Sequence, residues 1–350
     1  MPVDDSPSVV KSVARSTGLA KLYRLFVRTP LNRIRKSIRE GGPIEQWKTR
    51  RGEQAMREAA ADLPPLSPPP RPSDGPRRIY FLTGKDFWHQ TLFCFVSLQQ
   101  HCQHRITPVI YGDGTLRSES KSRIRRVVPW VEFVKRDEIE ARLDASLPAS
   151  KYPTLRERRL KYVHLRKLTD FHAGSTGAKL VLDSDMLFFD RPSLLIEWLE
   201  DPERPLHMQD AVETYGYSRE LMEELAGASI PERVNVGIVG LSSEKIDWDQ
   251  LEYWCRTLQE EEGVKYVQEQ ALTAMLVANH DRTVAPRPEY LTLPFVKEGR
   301  SPSVTLHHYV AESKRAYFQY GWRQVVNSIF DSGNPEGNEN TPIEYSREDS

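Results

Sequence analysis

Short apolar runs alternate along the middle of this chain with longer segments whose apolar positions recur every three or four residues. The short runs read as strands: "RRIYFLTG" ending at Gly84, "ITPVIYGDG", the brief "WVEFVKRD", "GAKLVLDSD", "VNVGIVGL" and "SVTLHHYV". Between them the spacing predicts helices over "FWHQTLFCFVSLQQHC", "SESKSRIRRVV", "DWDQLEYWCRTLQEEEG" and "VQEQALTAMLVANH". A single long helix is predicted through "LRERRLKYVHLRKLTDFHAG", ending at Gly174. Such alternation implies a layered α/β domain with a mostly parallel sheet. "GAKLVLDSD" has no polar alternation before its aspartates, as expected of a strand buried on both faces. Segments 137–155 and 211–232 read as variable loops.

The ends of the chain differ from the middle. "VVKSVARSTGLAKLYRLFVRTPLNRIRKSIRE" is rich in Lys and Arg and nearly free of acid. Leu19, Leu22, Leu25 and Phe26 fall at helical spacing, and Pro30 should end or restart that helix. Two readings stand: peripheral contact with an anionic membrane surface through residues 10–40, or a solvated arm. "DLPPLSPPPRPSDGP" reads as a semi-extended linker. "DSGNPEGNENTPIEYSREDS" reads as a disordered tail. The expected division is an arm and linker over 1–76, one α/β domain over 77–325, and a tail over 326–350.

Composition narrows the class. The 350 residues carry 49 Lys and Arg against 49 Asp and Glu, so the whole molecule has no basic excess for a nucleic acid. Cys94, Cys102 and Cys255 show no CxxC spacing and read as core thiols of a reducing compartment. No apolar run is long enough for a spanning helix, and no signal-type apolar stretch is seen near Met1. The expectation is a cytoplasmic protein, peripheral on a membrane if the basic arm binds one.

The chemistry centres on Asp183 and Asp185, which end a core strand with only Ser184 between them. Ligands of open α/β sheets gather at the carboxyl ends of strands. Neighbouring carboxylates repel unless a cation lies between them. Hard oxygen ligands suit Mg²⁺ or Mn²⁺, which complete their shells with water and phosphate. Asp pairs also cap helices and form turns. The preceding helix carries Arg156, Arg158, Arg159, Lys161, Arg166 and Lys167, mostly as a solvated face from which one or two residues could reach a phosphate. "LHHYVAESK" brings His307, His308 and Lys314 just past a predicted strand, offering imidazole and ammonium. Asn235 and Gly237 interrupt an apolar strand, and glycine there permits close approach. Asp210 follows "RPLHMQ" at another predicted strand end, as a cap or as a reacting group. "AGSTGAK" precedes a strand rather than following one, so it reads as a helix cap and turn, not a phosphate loop.

From Arg77 to about Trp322 the chain resembles glycosyltransferases of the GT-A fold. It is most similar to the glycogenin-like and galactosyltransferase-like retaining group, family 8. The stretch "LRKLTDFHAGSTGAKLVLDSDMLFFDRP" carries most of the likeness. The resemblance implies a GT-A type, Rossmann-like mixed and mostly parallel sheet flanked by helices, in a single catalytic domain. It implies Mn²⁺ (or Mg²⁺) held by Asp183 and Asp185, with His308 as third ligand and Lys314 on the phosphates. Ala311 stands where the His-x₅-Lys element usually has Gly. Thr83, Gly84, Lys167 (with Arg166 competing), Ser184, Asn235 and Gly237 are the implied nucleotide-sugar contacts. The family's Asp-Gln-Asp element matches Glu269 and Gln270, but its third position is Ala271, and Ala274 stands where Asn is frequent.

The implied reaction transfers a sugar from a UDP-linked donor to an acceptor hydroxyl on a carbohydrate, lipid or protein. With retention, Gln270 would support the donor face. With inversion, Glu269 or Asp210 would be the general base. Two other readings stand beside it, the first resting on departures from that family's pattern. Ala271 and Ala311 suit a non-catalytic nucleotide-sugar or partner-binding module of the same fold. A DxD phosphatase of the haloacid dehalogenase type would want Thr or Val where Leu187 stands, and a small flexible segment after it.

Overall fold

The computed structural model describes residues 41–73 and 75–332. Its strands are β1 (Arg77–Thr83), β2 (Ile106–Gly112), β3 (Glu132–Phe133), β4 (Ala178–Leu182), β5 (Met186–Phe188), β6 (Leu206–Gln209), β7 (Val234–Ser242), β8 (Thr283–Ala285), β9 (Tyr290–Thr292) and β10 (Leu306–His308). Seven of them form one sheet in the order β3-β2-β1-β4-β7-β6-β8. β7 runs antiparallel to both its neighbours, and the remaining pairs are parallel. β10 lies between β5 and β9 in a smaller sheet, antiparallel to the first and parallel to the second. Helices flank the large sheet, so the layered, mostly parallel α/β architecture is the one the sequence pattern predicts.

The strands form because successive side chains find apolar partners on opposite faces. Ile79, Phe81, Leu180, Leu182 and Ile238 point into one core, with the helix Trp88–Gln100 and the small sheet. Val109, Tyr111, Val181, Val239 and Leu241 point into the other, with the helices Arg136–Ser146, Arg166–His172, Trp248–Glu262 and Gln268–Ala278. Each fully buried aliphatic or aromatic side chain of this kind contributes about 1.5–3 kcal/mol.

Four features depart from the sequence reading. First, residues 42–62 are a helix, Gly42–Asp62, that buries Met56 and Ala60 in the core beside the helix Trp88–Gln100. The proline-rich segment after it is strapped down: Leu63 is buried, Leu66 N donates to Val127 O at 2.8 Å, and Arg105 N donates to Pro70 O at 2.8 Å. The core therefore runs across the boundary expected near residue 76. Second, the predicted long helix is two short ones, Pro153–Lys161 and Arg166–His172, joined by a 3₁₀ turn, Val163–Leu165. Tyr162 breaks it with φ −136° and ψ 98°, its ring buried under the Arg158 guanidinium. Third, the segments read as loops contain the helices Arg136–Ser146 and Arg219–Ala226. Fourth, the helix Trp322–Ser332 continues past residue 325.

The basic segment 10–40 and residues 333–350 lie outside the described residues. Among the described residues no helix is long and apolar enough to cross a membrane.

Candidate active site

The two aspartates sit where the chain passes from one sheet to the other. Asp183 N still donates to Gly237 O at 2.8 Å, extending the β4–β7 ladder. Asp185 O accepts from Tyr309 N at 2.9 Å, opening the β5–β10 ladder. His308 stands opposite Met186 in that ladder, one residue beyond Asp185. Register alone therefore brings His308 to the acidic pair. His307, its neighbour, is also buried, but its Nδ1 is 2.9 Å from the Tyr309 hydroxyl and its ring meets Phe189 edge-on.

One ligand atom from each of Asp183, Asp185 and His308 lies within 4.8 Å of the others. Each carboxylate divides its oxygens. Asp183 gives Oδ1 to Lys167 Nζ at 2.9 Å and turns Oδ2 toward His308 Nε2 at 3.9 Å. Asp185 gives Oδ2 to Lys314 Nζ at 2.7 Å and turns Oδ1 toward the same nitrogen at 3.4 Å. His308 is 2% exposed, yet neither ring nitrogen has a hydrogen-bond partner. Buried polar atoms are rarely left so.

The lysines differ. Lys167 is buried, and also donates to Val236 O at 3.2 Å and lies 3.4 Å from Glu269 Oε1. Burial pulls its pKa down, but Asp183 and Glu269 outweigh that and raise it, so it stays charged. Lys314 is 31% exposed at its side chain and touches Gln90 Oε1 at 3.4 Å. Burial works to raise the Asp185 pKa, but Lys314 and His308 hold it well below the usual carboxylate value. Glu269 shares Lys167 with Asp183 and takes the longer contact. Burial, partly offset by Lys167 and reinforced by Asp183, pushes it up to about 7.

Gly237 makes the approach of His308 possible. A Cβ there would lie 2.4 Å from His308 Cε1 and 2.4 Å from Met186 Cε. Asn235 Oδ1 accepts from Gly237 N at 2.8 Å and fixes this stretch of β7. Beneath the aspartates runs a polar stripe that the sequence reading missed. The helix Trp88–Gln100 is buried along nearly its whole length, and Gln90, Cys94 and Ser97 fall at helical spacing within it. Gln90 meets Lys314, Cys94 Sγ donates to Asp183 O at 3.6 Å, and Ser97 Oγ accepts from Phe188 N at 3.1 Å. Thr91 Oγ1 lies 2.8 Å from Ser184 Oγ and donates to Thr83 Oγ1 at 2.7 Å. Polar residues three and four apart in an otherwise apolar helix were the available signal.

Other sequence candidates fall elsewhere on the same sheet edge. Gly84 packs against the Asp113 carboxylate. Arg166 turns away from the aspartates and donates to Asp113 O at 2.7 Å, so Lys167 is the basic residue that reaches them. Gln270 and Asp210 form a separate corner. Gln270 Nε2 donates to Val234 O at 2.8 Å and lies 3.4 Å from Asp210 Oδ2, while Asp210 Oδ1 accepts from Ala211 N at 2.7 Å. Ala271 and Ala274 are fully buried among apolar side chains. Ala311 has φ 46°, the left-handed region that favours glycine.

No family model matches the sequence, and no curated protein matches it. Among solved structures, the chain is similar to the galactosyltransferase LgtC in complex with donor and acceptor sugar analogs, at 15% identity over 73% of this chain and 95% of that one, with TM-score 0.48. It is similar to mouse xyloside xylosyltransferase 1, apo form, at 11% identity over 67% and 97%, with TM-score 0.45. It is also similar to the bifunctional glycosyltransferase WbbM, at 12% identity over 75% of this chain and 53% of that one, with TM-score 0.44.

Proposed function

We propose that this chain is a metal-dependent glycosyltransferase that moves a sugar from a UDP-linked donor to an acceptor hydroxyl, with retention. One observation carries the reading: two carboxylates each commit one oxygen to a lysine and leave the other facing a buried, unpartnered imidazole. An imidazole left unsatisfied in this way costs about 1–3 kcal/mol. A donor set of two carboxylates and one imidazole fits Mn²⁺ or Mg²⁺. Asp183, Asp185 and His308 would hold the ion, which when bound supplies Lewis-acid stabilisation of negative charge on a leaving diphosphate.

The chain's own residues do the rest. Lys167 is locked beneath the site and orients Asp183 through its 2.9 Å contact with Oδ1. Lys314 reaches Asp185 from a partly exposed position, so it can turn to a phosphate oxygen and add fixed positive charge there. Thr83, Ser184, Asn235 and Gly237 shape the floor on which a nucleotide sugar would lie. Glu269 is tied to Lys167, and Asp210 to Ala211 N and Gln270. Both carboxylates are engaged within the fold, and retention rests on the resemblance to the retaining group. Three free thiols suit a reducing, cytoplasmic setting. A membrane contact through residues 10–40 is a separate part of the proposal. It is tested by pelleting the full chain and a chain starting at Gly41 with anionic vesicles, and equal pelleting removes it.

The test of the main reading is calorimetric titration with UDP, GDP and CDP, with Mn²⁺ and with chelator. UDP should bind in the presence of the metal and at least tenfold more weakly without it. Binding indifferent to metal would overturn the assignment. UDP binding with no release of UDP from any UDP-sugar would favour a non-catalytic module.

A further inference from the structure

Away from the aspartates, a cavity of about 190 Å³ opens at the C-terminal end of β2, beside Gly112 and Gly114. β1 separates β2 from β4, so this end of the sheet lies roughly 10 Å from the acidic pair. Lys121, Arg136, Arg159 and Arg166 line the cavity against two carboxylates, Glu140 and Asp170. Those carboxylates are already taken. Arg159 pairs with Asp170 Oδ1 at 2.5 Å and with Glu140 Oε1 at 2.9 Å, and Arg156 adds a longer contact to Glu140 at 3.9 Å.

Among the described residues, no carboxylate lies within ion-pair distance of Lys121, Arg136 or Arg166. Arg166 is half-buried and donates only to backbone carbonyls, Asp113 O at 2.7 Å and Arg159 O at 3.4 Å. Charged groups withdrawn from water normally find a counter-charge. We propose that this cavity is a subsite for a small oxyanion of phosphate size, held by Lys121, Arg136 and Arg166 and separate from the metal centre. Burial lowers the Arg166 pKa, and the more distant carboxylates of Asp170, Asp113 and Glu140 do not make up for it. Planar guanidinium groups suit phosphate oxygens through paired hydrogen bonds.

The probe is inorganic phosphate, titrated into the full chain by calorimetry in a chloride buffer without metal or nucleotide. Saturable binding is expected that weakens with ionic strength. It should fall at least tenfold in Lys121→Ala/Arg136→Ala, which leaves Mg²⁺–UDP binding unchanged. Arg136→Gln, at an exposed position, gives the same reading if the double variant melts early. A repeat with saturating Mg²⁺ and UDP separates the sources. Phosphate that still binds supports the separate subsite, and phosphate that is displaced marks a group carried on the nucleotide and overturns it. Absent binding overturns the proposal, as does binding unchanged in the variants or lost instead in Lys314→Ala. Because neither metal nor donor is present in the first titration, its failure leaves the glycosyltransferase reading intact.

Discussion

Two regions at strand ends of the sheet hold carboxylates among buried polar partners, and they are built on opposite terms. At the Asp183–Asp185–His308 centre the polar atoms outnumber their partners. Each carboxylate keeps an oxygen uncommitted, and both imidazole nitrogens are unmet. At the Gln270–Asp210 corner, across β7, the donors and acceptors are already matched to one another and to Val234 O and Ala211 N. An unmet buried polar group costs free energy, and at this centre the unmet imidazole also faces two carboxylate oxygens. A matched set instead stabilises the fold. On the proposed function, the difference separates residues that would meet a metal ion from residues that hold the strand ends in place, although Asp183, Asp185 and Asp210 all looked alike as acids after strands.

The largest effect should come from Asp185→Asn. It keeps the volume and removes the charge that faces both His308 and Lys314. Turnover should fall by roughly 2.7–4 kcal/mol in the transition state, beyond the loss of stability expected when Lys314 loses its partner. Full activity in this variant would erase the distinction between the two regions.

Glu269 lies between them and sharpens the contrast through pH. Its pKa is raised from 4.5 in the unfolded chain to about 7 in the folded one. Below pH 4.5 both states hold the proton. As pH rises toward 7 the unfolded chain ionises first, so stability falls across that window, on the order of 3 kcal/mol in all. Glu269→Gln should flatten that part of the curve in denaturant titrations run at several pH values. Asp185 has the opposite sign, since its lowered pKa gives stability that is lost as pH falls below 3.8. An unchanged slope in Glu269→Gln would mean that Glu269 is ionised in the fold.

Gly237→Ala tests the geometry of the centre. The added methyl has no room beside His308 and Met186. Metal-supported UDP binding should weaken by about 10–100-fold, the range seen when groups orienting a metal ligand are disturbed. Gln270→Ala tests the other region. It leaves Val234 O and Asp210 without their donor and should cost about 1–2 kcal/mol of stability. UDP affinity should stay within a few-fold. A variant that folds as well as the parent but loses all transfer would move Gln270 into the reacting centre.

The contrast also explains what was legible in the sequence. The strands could be read because the large sheet is buried on both faces, so "GAKLVLDSD" had to be apolar until the point where a ligand could sit. The acidic pair could be read because it ends a core strand, where ligands of open α/β sheets gather, and the His-x₅-Lys spacing through the resemblance to the GT-A group. Partnering could not be read. Whether Gln270 meets a sugar or Val234 O depends on how β6, β7 and the helix Gln268–Ala278 pack. The helix Gly42–Asp62 was hidden because its buried stripe is narrow and made mostly of small residues, Gly52, Met56 and Ala60, beside a proline-rich segment. The break at Tyr162 was hidden because no Pro or Gly marks it; the long-range contacts of Arg158 with Gln268 Oε1 and Lys265 O at 2.7 Å help set it.

The smallest expected effect concerns Ala311, which opens the 3₁₀ turn Ala311–Ser313 just before Lys314. Its φ of 46° is costly for a residue with a Cβ and free for glycine. The side chain is exposed, so little packing is lost when it is removed. Glycine also widens the unfolded ensemble, which offsets part of the gain. Ala311→Gly should therefore stabilise the chain by about 0.5–1 kcal/mol, read as a modest rise in melting temperature. The turn is also held by Ser313, whose N and Oγ donate to Val310 O at 3.0 and 2.6 Å. Lys314 should thus keep its place on Asp185, and metal-supported UDP affinity should change less than twofold. A gain in stability with a tenfold loss of UDP affinity would show that alanine at this position stiffens the approach of Lys314 to its phosphate. The turn would then belong with the ligand-ready centre rather than with the matched scaffold around it.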